Sequence, residues 1–139
     1  NYPLQSYIIV LFVIGGLGFP IVVNVLKYLK YRIVNKFQNF SKNSIQHKPW
    51  VLNLNSRITL ITTFSLTIIG TVLFYLSEYN NILAPHSGIG KVVTALFGAT
   101  TPRTAGFNTV DMAALHFSTL MLIFVFMWIG GSPASTGGG

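Results

Sequence analysis

Apolar residues are concentrated in three long stretches of this chain, at residues 6–25, 58–76 and 113–129. A helix rises about 1.5 Å per residue, so a stretch of about 20 apolar residues matches the roughly 30 Å hydrocarbon core of a bilayer. Threonine and serine hydroxyls in the second stretch can bond back to the helix backbone, which makes them compatible with insertion. The pattern predicts three membrane-spanning helices.

A shorter apolar stretch, KVVTALFGA at residues 91–99, precedes the third span. It is too short to cross a bilayer and fits either a core helix or a re-entrant segment. The polar run TTPRTAGFNT at residues 100–109 follows it, and we expect this run to be non-helical. Thr109 or Asp111 can cap the helix that comes next.

Glycine and proline interrupt the first span at Gly15, Gly16, Gly18 and Pro20. Membrane helices tolerate both residue types, because glycine lets neighbouring helices approach closely and proline kinks are satisfied by their surroundings. We interpret the cluster as a packing feature within one helix. Residues 26–37, LKYLKYRIVNKF, are expected to continue as an amphipathic helix at the membrane surface.

Charge is sparse, at 8% of residues, and it is distributed unevenly. Basic residues cluster between the first two spans, which is typical of a cytoplasmic loop and not of a nucleic-acid surface. The cluster comprises Lys27, Lys30, Arg32, Lys36, Lys42, Lys48 and Arg57. Beyond the second span, Lys91 and Arg103 balance Glu78 and Asp111, so this part faces outward. We predict a multi-pass protein of the cell membrane, in contact with lipid, whose polar run is entered from the outer face.

The chain offers few residues for chemistry, with two acidic residues, three scattered histidines and no cysteine. Paired carboxylates, nucleophile–base pairs and metal-ligand clusters are absent from the sequence, so we expect neither an enzyme nor a bound cofactor. His116, early in the third span, fits helix packing better than a proton or ion path, although both interpretations remain open.

Cation passage is compatible with the polar run. Backbone carbonyls can replace the hydration shell of a monovalent cation, and glycine gives the backbone the freedom to turn. Thr104-Ala105-Gly106-Phe107 has the Thr-x-Gly-aromatic pattern of potassium-channel filters. The alternative is an ordinary outer loop that joins two spans.

Three blocks together resemble the Trk/Ktr/HKT potassium-uptake superfamily: IGGLGFP, TTPRTAGFNTVD and IGGSPASTGGG, in that order. The resemblance implies an all-α membrane fold built from helix–pore-loop–helix repeats, of which this is a partial chain. Residues 1–36 would hold the inner helix of the preceding repeat with its cytoplasmic extension. Residues 37–57 would form the basic cytoplasmic loop, and residues 58–139 would form the next repeat.

The resemblance also implies roles for individual residues. The carbonyls of Thr104, Ala105 and Gly106 would bind potassium, with Arg103, Phe107 and Asn108 supporting them. Arg103 cannot ligate a cation and would brace the loop through carbonyl or carboxylate partners. A glycine-rich gate loop would follow the third span and include Gly130, Gly131, Ser132, Gly137, Gly138 and Gly139. A flexible Gly/Ser linker is the alternative interpretation of that end.

The function implied by the resemblance is potassium uptake through a carbonyl-lined filter. The implied partners are the remaining repeats of the subunit, a second copy in a homodimer and a cytoplasmic nucleotide-binding regulatory subunit. Two alternatives stay open: a membrane anchor or sensor without a pore, and a sodium-permeable or sodium-coupled member of the same superfamily.

Overall fold

A computed structural model describes residues 1–38, 54–132 and 135. All regular structure in these ranges is helical. Most of the predicted basic loop at 37–57, and Gly137, Gly138 and Gly139 of the predicted gate loop, lie outside the described residues. The described residues form five α-helices: α1 Tyr2–Leu17, α2 Phe19–Gln38, α3 Leu54–Glu78, α4 Gly88–Thr100 and α5 Phe117–Ile129. Short 3-10 turns occupy Thr101–Arg103 and Met112–Ala114.

Helix α3 is long and apolar enough to cross a bilayer, and it contains the predicted second span. Three of its threonine hydroxyls donate to the carbonyl four residues earlier: Thr62 to Ile58, Thr67 to Thr63 and Thr71 to Thr67, at 2.6–2.9 Å. These bonds satisfy the hydroxyls within the helix, as the sequence predicted. Much of the apolar surface of α3 is exposed, which suits contact with lipid or with further protein.

The first predicted span is divided in two. Helices α1 and α2 meet at Gly18 and are bent by 103°. Gly18 has φ 81° and ψ 148°, a conformation open almost only to glycine, and Pro20 lies in the first turn of α2, where a missing N–H costs nothing. The prediction of one helix through residues 6–25 was therefore wrong, because Gly18 turns the backbone as well as allowing close packing.

Helix α4 lies between α1 and α3. Glycine permits the close approach to α3: a Cβ at Gly98 would come within 2.7 Å of the Phe74 ring, which is itself buried. On the α1 side, the Phe12 and Phe97 rings pack with centroids 5.5 Å apart. Small residues that let helices approach this closely are typical of membrane interfaces. The short helix expected at residues 91–99 is confirmed, with bounds extended to Gly88 and Thr100.

The third span begins later than predicted. Asp111 accepts a hydrogen bond from the Ala113 backbone N–H at 2.9 Å and so caps the 3-10 turn Met112–Ala114 instead of α5. Helix α5 starts only at Phe117, with His116 as its N-cap residue. Asp111 is a cap, as predicted, but the separate turn shortens α5 to 13 residues.

The end of α3 and the start of α5 are joined by Glu78. Its Oε1 accepts hydrogen bonds from the His116 backbone N–H at 2.9 Å and the Thr119 hydroxyl at 2.5 Å. Its Oε2 accepts from the Asn81 amide at 2.7 Å. The chain between these helices therefore departs from, and returns to, the same end of the molecule.

Candidate ion-binding loop

The loop that follows α4 begins with a tight turn. Residues Thr101–Arg103 form the 3-10 turn, so the expected non-helical run starts at Thr104 and not at Thr100. Thr101, which is 2% exposed, holds the loop twice. Its hydroxyl donates to the Phe107 carbonyl at 2.6 Å, and its carbonyl accepts from the Gly106 N–H at 3.0 Å. One buried residue thus fixes both ends of the segment between them.

This loop contains three consecutive carbonyls, those of residues 104–106, that face no donor in the described part of the chain. Among the described residues, none donates a hydrogen bond to the carbonyl of Thr104, Ala105 or Gly106, and the last two residues are exposed. Gly106 has φ 70°, a left-handed conformation that glycine adopts without strain. A loop held from behind with free carbonyls has the elements needed to replace the hydration shell of a cation.

The residues predicted to support the loop differ in what they contact. The Phe107 ring stacks on Phe12 of α1, with centroids 6.0 Å apart and planes 5° from parallel. Asn108 is exposed and makes no side-chain hydrogen bond within the described part of the chain. The structure therefore gives Phe107 an anchoring contact but gives Asn108 none.

Arg103 connects the loop to the end of α5. Its Nε donates to the Gly130 carbonyl at 3.1 Å, which is the kind of carbonyl partner expected for it. Gly130 has φ 64° and is the C-cap residue of α5. The carbonyls at a helix C-terminus have no partner within their own helix. A guanidinium at the negative end of a helix dipole also has favourable electrostatics. Arg103 therefore acts as a side-chain cap for α5.

The segment after α5 packs into the protein. Ser132 is buried, and its N–H donates to the Gly16 carbonyl of α1 at 3.0 Å. In an unbroken helix that carbonyl would pair with the N–H of residue 20, but Pro20 has no N–H. Ser132 thus satisfies a carbonyl that the sequence of α1 leaves free. Contacts at Gly130 and Ser132 disfavour a flexible linker over the described part of this segment.

A small cavity of about 10 Å³ lies behind the loop, room for about one water molecule. Residues from α1, α3, the loop and the segment after α5 line it together. Among them are Gly16, Thr63, Thr67, Thr104 and Gly131. The loop, α1, α3, the end of α4 and the segment after α5 therefore all meet at this cavity.

Sequence reasoning missed the importance of Glu78. It was interpreted as a marker of the outer end of the second span, yet its side chain is 0% exposed and accepts three hydrogen bonds. A lone acidic residue beside an apolar span is a signal for such a role, because charge is costly there without partners. Its partners lie up to 41 residues away and could not be identified by spacing.

Comparison with known proteins places these features in a family. The model of the family TrkH, cation transport protein, matches residues 1–139. The chain is 34% identical over its full length to the Ktr system potassium uptake protein D of Bacillus subtilis, covering 28% of that protein. It is also 34% identical to the Ktr system potassium uptake protein B of Vibrio alginolyticus, again over 100% of the chain and 28% of the relative.

The name of a third relative includes sodium as well as potassium. The potassium/sodium uptake protein NtpJ of Enterococcus hirae is 29% identical over the whole chain, which covers 27% of it. The chain thus spans little more than a quarter of the length of each of these three relatives.

Proposed function

Because this chain belongs to the TrkH family of cation transport proteins, we propose that it forms one repeat of a membrane pore through which potassium enters the cell. The observation that carries the proposal is the run of unpaired carbonyls at Thr104, Ala105 and Gly106, fixed from behind by Thr101. These carbonyls replace water around the ion, and no covalent chemistry is involved.

The path of the chain supports a pore-loop arrangement. Helix α4 and the loop lie between α3 and α5, and Glu78 draws the ends of those helices together. The segment therefore enters the membrane and returns on one side, which we propose is the outer face because the basic residues cluster between the first two spans. The C-terminal end of α4, with its partial negative charge, leads directly into the loop and favours a cation there.

The segment after α5 is proposed to be an intramembrane gate. Gly130 and Gly131 interrupt the helix, and unwound backbone inside a bilayer is tolerated where protein or a cavity surrounds it. The bonds from Arg103 to Gly130 and from Ser132 to Gly16 hold its described part next to the ion-binding loop.

One repeat supplies only part of a filter. We propose that the remaining repeats of the same subunit complete the pore, and that the subunit forms a homodimer controlled by a cytoplasmic nucleotide-binding partner. Two relatives are named as uptake proteins of a Ktr system, which supports a multi-component assembly.

Substitution of Gly106 by serine in the full-length transporter tests the filter. An L-residue in the left-handed conformation costs about 1–2 kcal/mol, so the backbone is expected to shift and misdirect the carbonyls. We expect slower potassium uptake and a lower potassium-to-sodium selectivity ratio. Gly88→Ala is the matched control, because a Cβ there meets nothing within 4 Å. If Gly106→Ser reaches the membrane in normal amount with both properties unchanged, the assignment is wrong.

Thiol labelling distinguishes a pore from a membrane anchor or sensor. In the full-length protein with Ala105→Cys, a filter predicts slow reaction with bulky impermeant reagents in potassium and faster reaction after potassium is removed. An anchor predicts rapid reaction in both conditions, because the loop would be an open surface.

Sodium permeation is a second candidate, favoured by the name of the Enterococcus relative. Uptake of sodium in the absence of potassium, at a rate that changes in Gly106→Ser, would assign sodium to the same loop. Potassium uptake with no measurable sodium uptake would exclude this candidate.

A further inference from the structure

Helix α2 packs one face against the protein and exposes another face. Ile21 and Asn24 are buried, and the Asn24 amide donates to the Ser56 hydroxyl of α3 at 3.1 Å. By contrast, Leu26, Leu29 and Ile33 are 46–58% exposed. Their spacing of three and four residues places them in one stripe along the helix. This stripe faces away from the contact with α3.

Basic side chains border the stripe on both edges. Lys30 follows Leu26 by four residues, and Arg32 follows Leu29 by three, so each lies beside the stripe on opposite sides. Lys27 lies on the same edge as Lys30, and all three basic side chains are exposed. Long basic side chains beside an apolar stripe can reach a charged interface while their methylene groups rest on apolar surface.

The bend at Gly18 gives this face a direction. With α1 crossing the membrane, a change of 103° carries α2 nearly parallel to the membrane plane. A helix in that position buries its apolar stripe at the boundary between headgroups and acyl chains. The bordering basic groups then lie at the level of the phosphates.

The chain offers these basic groups no acidic partner nearby. Residues 1–77 contain no aspartate or glutamate, and the carboxylate of Glu78 is occupied by three donors at the far end of α3. Residues 1–77 therefore supply no counter-charge for Lys27, Lys30 and Arg32. Anionic phospholipid headgroups attract basic side chains that lie close to the membrane surface.

We propose that α2 is an in-plane helix that binds anionic phospholipid headgroups of the cytoplasmic leaflet through Lys27, Lys30 and Arg32, with Leu26, Leu29 and Ile33 in the acyl region. This inference goes beyond the proposed ion filter, and it requires that α1 crosses the membrane with its C-terminal end at the cytoplasmic side.

The test uses the full-length transporter in vesicles, with Leu29→Cys carrying a bimane fluorophore as the reporter. Quenching is compared between phosphatidylcholine vesicles containing nitroxide-labelled phosphatidylglycerol and vesicles containing equally labelled phosphatidylcholine at the same mole fraction. Each basic group near an anionic surface contributes about fivefold to binding. We expect severalfold stronger quenching by labelled phosphatidylglycerol, decreasing with added salt.

Charge variants separate headgroup binding from simple burial in lipid. The preference for phosphatidylglycerol should disappear in K27Q/K30Q/R32Q and persist in the charge-retaining control K27R/K30R/R32K. Equal quenching by the two lipids in the parent would overturn the proposal. Absence of quenching by either lipid would also overturn it, since the stripe would then be covered by another repeat or by a protein partner.

Measuring transport and lipid preference in the same variants tests the α2 proposal and the filter assignment separately. The lipid preference should be unchanged in Gly106→Ser whether or not that variant transports potassium. A normal filter with no lipid preference would reject only the inference about α2.

Discussion

Arg103 in the ion-binding loop and Gly130 at the end of α5 are joined by a hydrogen bond of 3.1 Å, from the guanidinium Nε to the carbonyl oxygen. This bond ties the loop that we propose selects the ion to the segment that we propose controls its passage. Gly131 also lies close to the Arg103 backbone: a Cβ added to Gly131 would be 3.6 Å from the Arg103 carbonyl oxygen. The two segments therefore cannot move independently without losing contacts.

Replacing Arg103 tests this connection. In Arg103→Gln the bond loses its charge, and in Arg103→Lys it loses the planar Nε donor. A hydrogen bond from a charged group contributes about 1.5–3 kcal/mol, so we expect reduced potassium uptake in both variants, measured in cells that depend on this transporter. Lys91→Gln, a charge removed from α4 at a distance from the loop, is the control. Wild-type uptake in both Arg103 variants would show that the bond is dispensable.

Thr101 is predicted to set the shape of the loop through its hydroxyl. Thr101→Val keeps the volume but removes the 2.6 Å bond to the Phe107 carbonyl, at a cost of about 1–3 kcal/mol for the buried group left unpaired. We expect a lower potassium-to-sodium selectivity ratio, measured by competitive uptake. Thr101→Ser retains the hydroxyl and should stay close to the parent. Equal ratios in all three proteins would contradict this role.

Glu78 is predicted to require a carboxylate. All three of its partners are donors, so the amide NH₂ of Glu78→Gln would have to face one of them. The unpaired buried donors cost about 1–3 kcal/mol, and we expect a lower thermal unfolding midpoint for the detergent-solubilised full-length protein. Thr119→Ser, which keeps the hydroxyl bonded to Oε1, serves as the mild comparison. An unchanged midpoint in Glu78→Gln would mean that the carboxylate is not needed there.

Gly18→Ala tests the bend between α1 and α2. An alanine at φ 81° and ψ 148° is strained by about 1–3 kcal/mol. We expect loss of stability, and a changed distance between spin labels placed at Leu11 and Leu29, measured by pulsed electron resonance. Gly88→Ala, whose added methyl meets open space, controls for the loss of a glycine. The same label distance and stability in Gly18→Ala would show that the bend does not depend on glycine.

Local sequence pattern predicted the helical elements because lipid imposes length and composition on each span directly. The sequence predicts helices at residues 58–76 and 91–99 from the length and composition of each stretch. It predicts a turn at Gly106 because glycine has no side chain to restrict its backbone. The structure agrees with each of these, with helix ends shifted by a few residues.

Relationships between distant residues were not predictable in the same way. Membrane helices tolerate glycine and proline, so residues 15–20 are compatible both with one continuous helix and with a break at Gly18. Hydropathy alone does not distinguish these two structures. The distant partners of Glu78 and Arg103 lie in α5 or at its two caps, and no spacing rule connects residues 27–41 positions apart. The spacing of Gly16 and Pro20 did contain a usable signal, namely a carbonyl that its own helix cannot satisfy.

The bond between Ser132 and Gly16 has a consequence for how the protein is made. Gly16 leaves the ribosome first, and at about 5–20 residues per second Ser132 follows on the order of ten seconds later. During that interval the Gly16 carbonyl, in the last turn of α1, has no partner from its own helix. The Gly16 carbonyl can therefore gain this partner only after α5 and the residues up to Ser132 have been synthesised and have packed against α1.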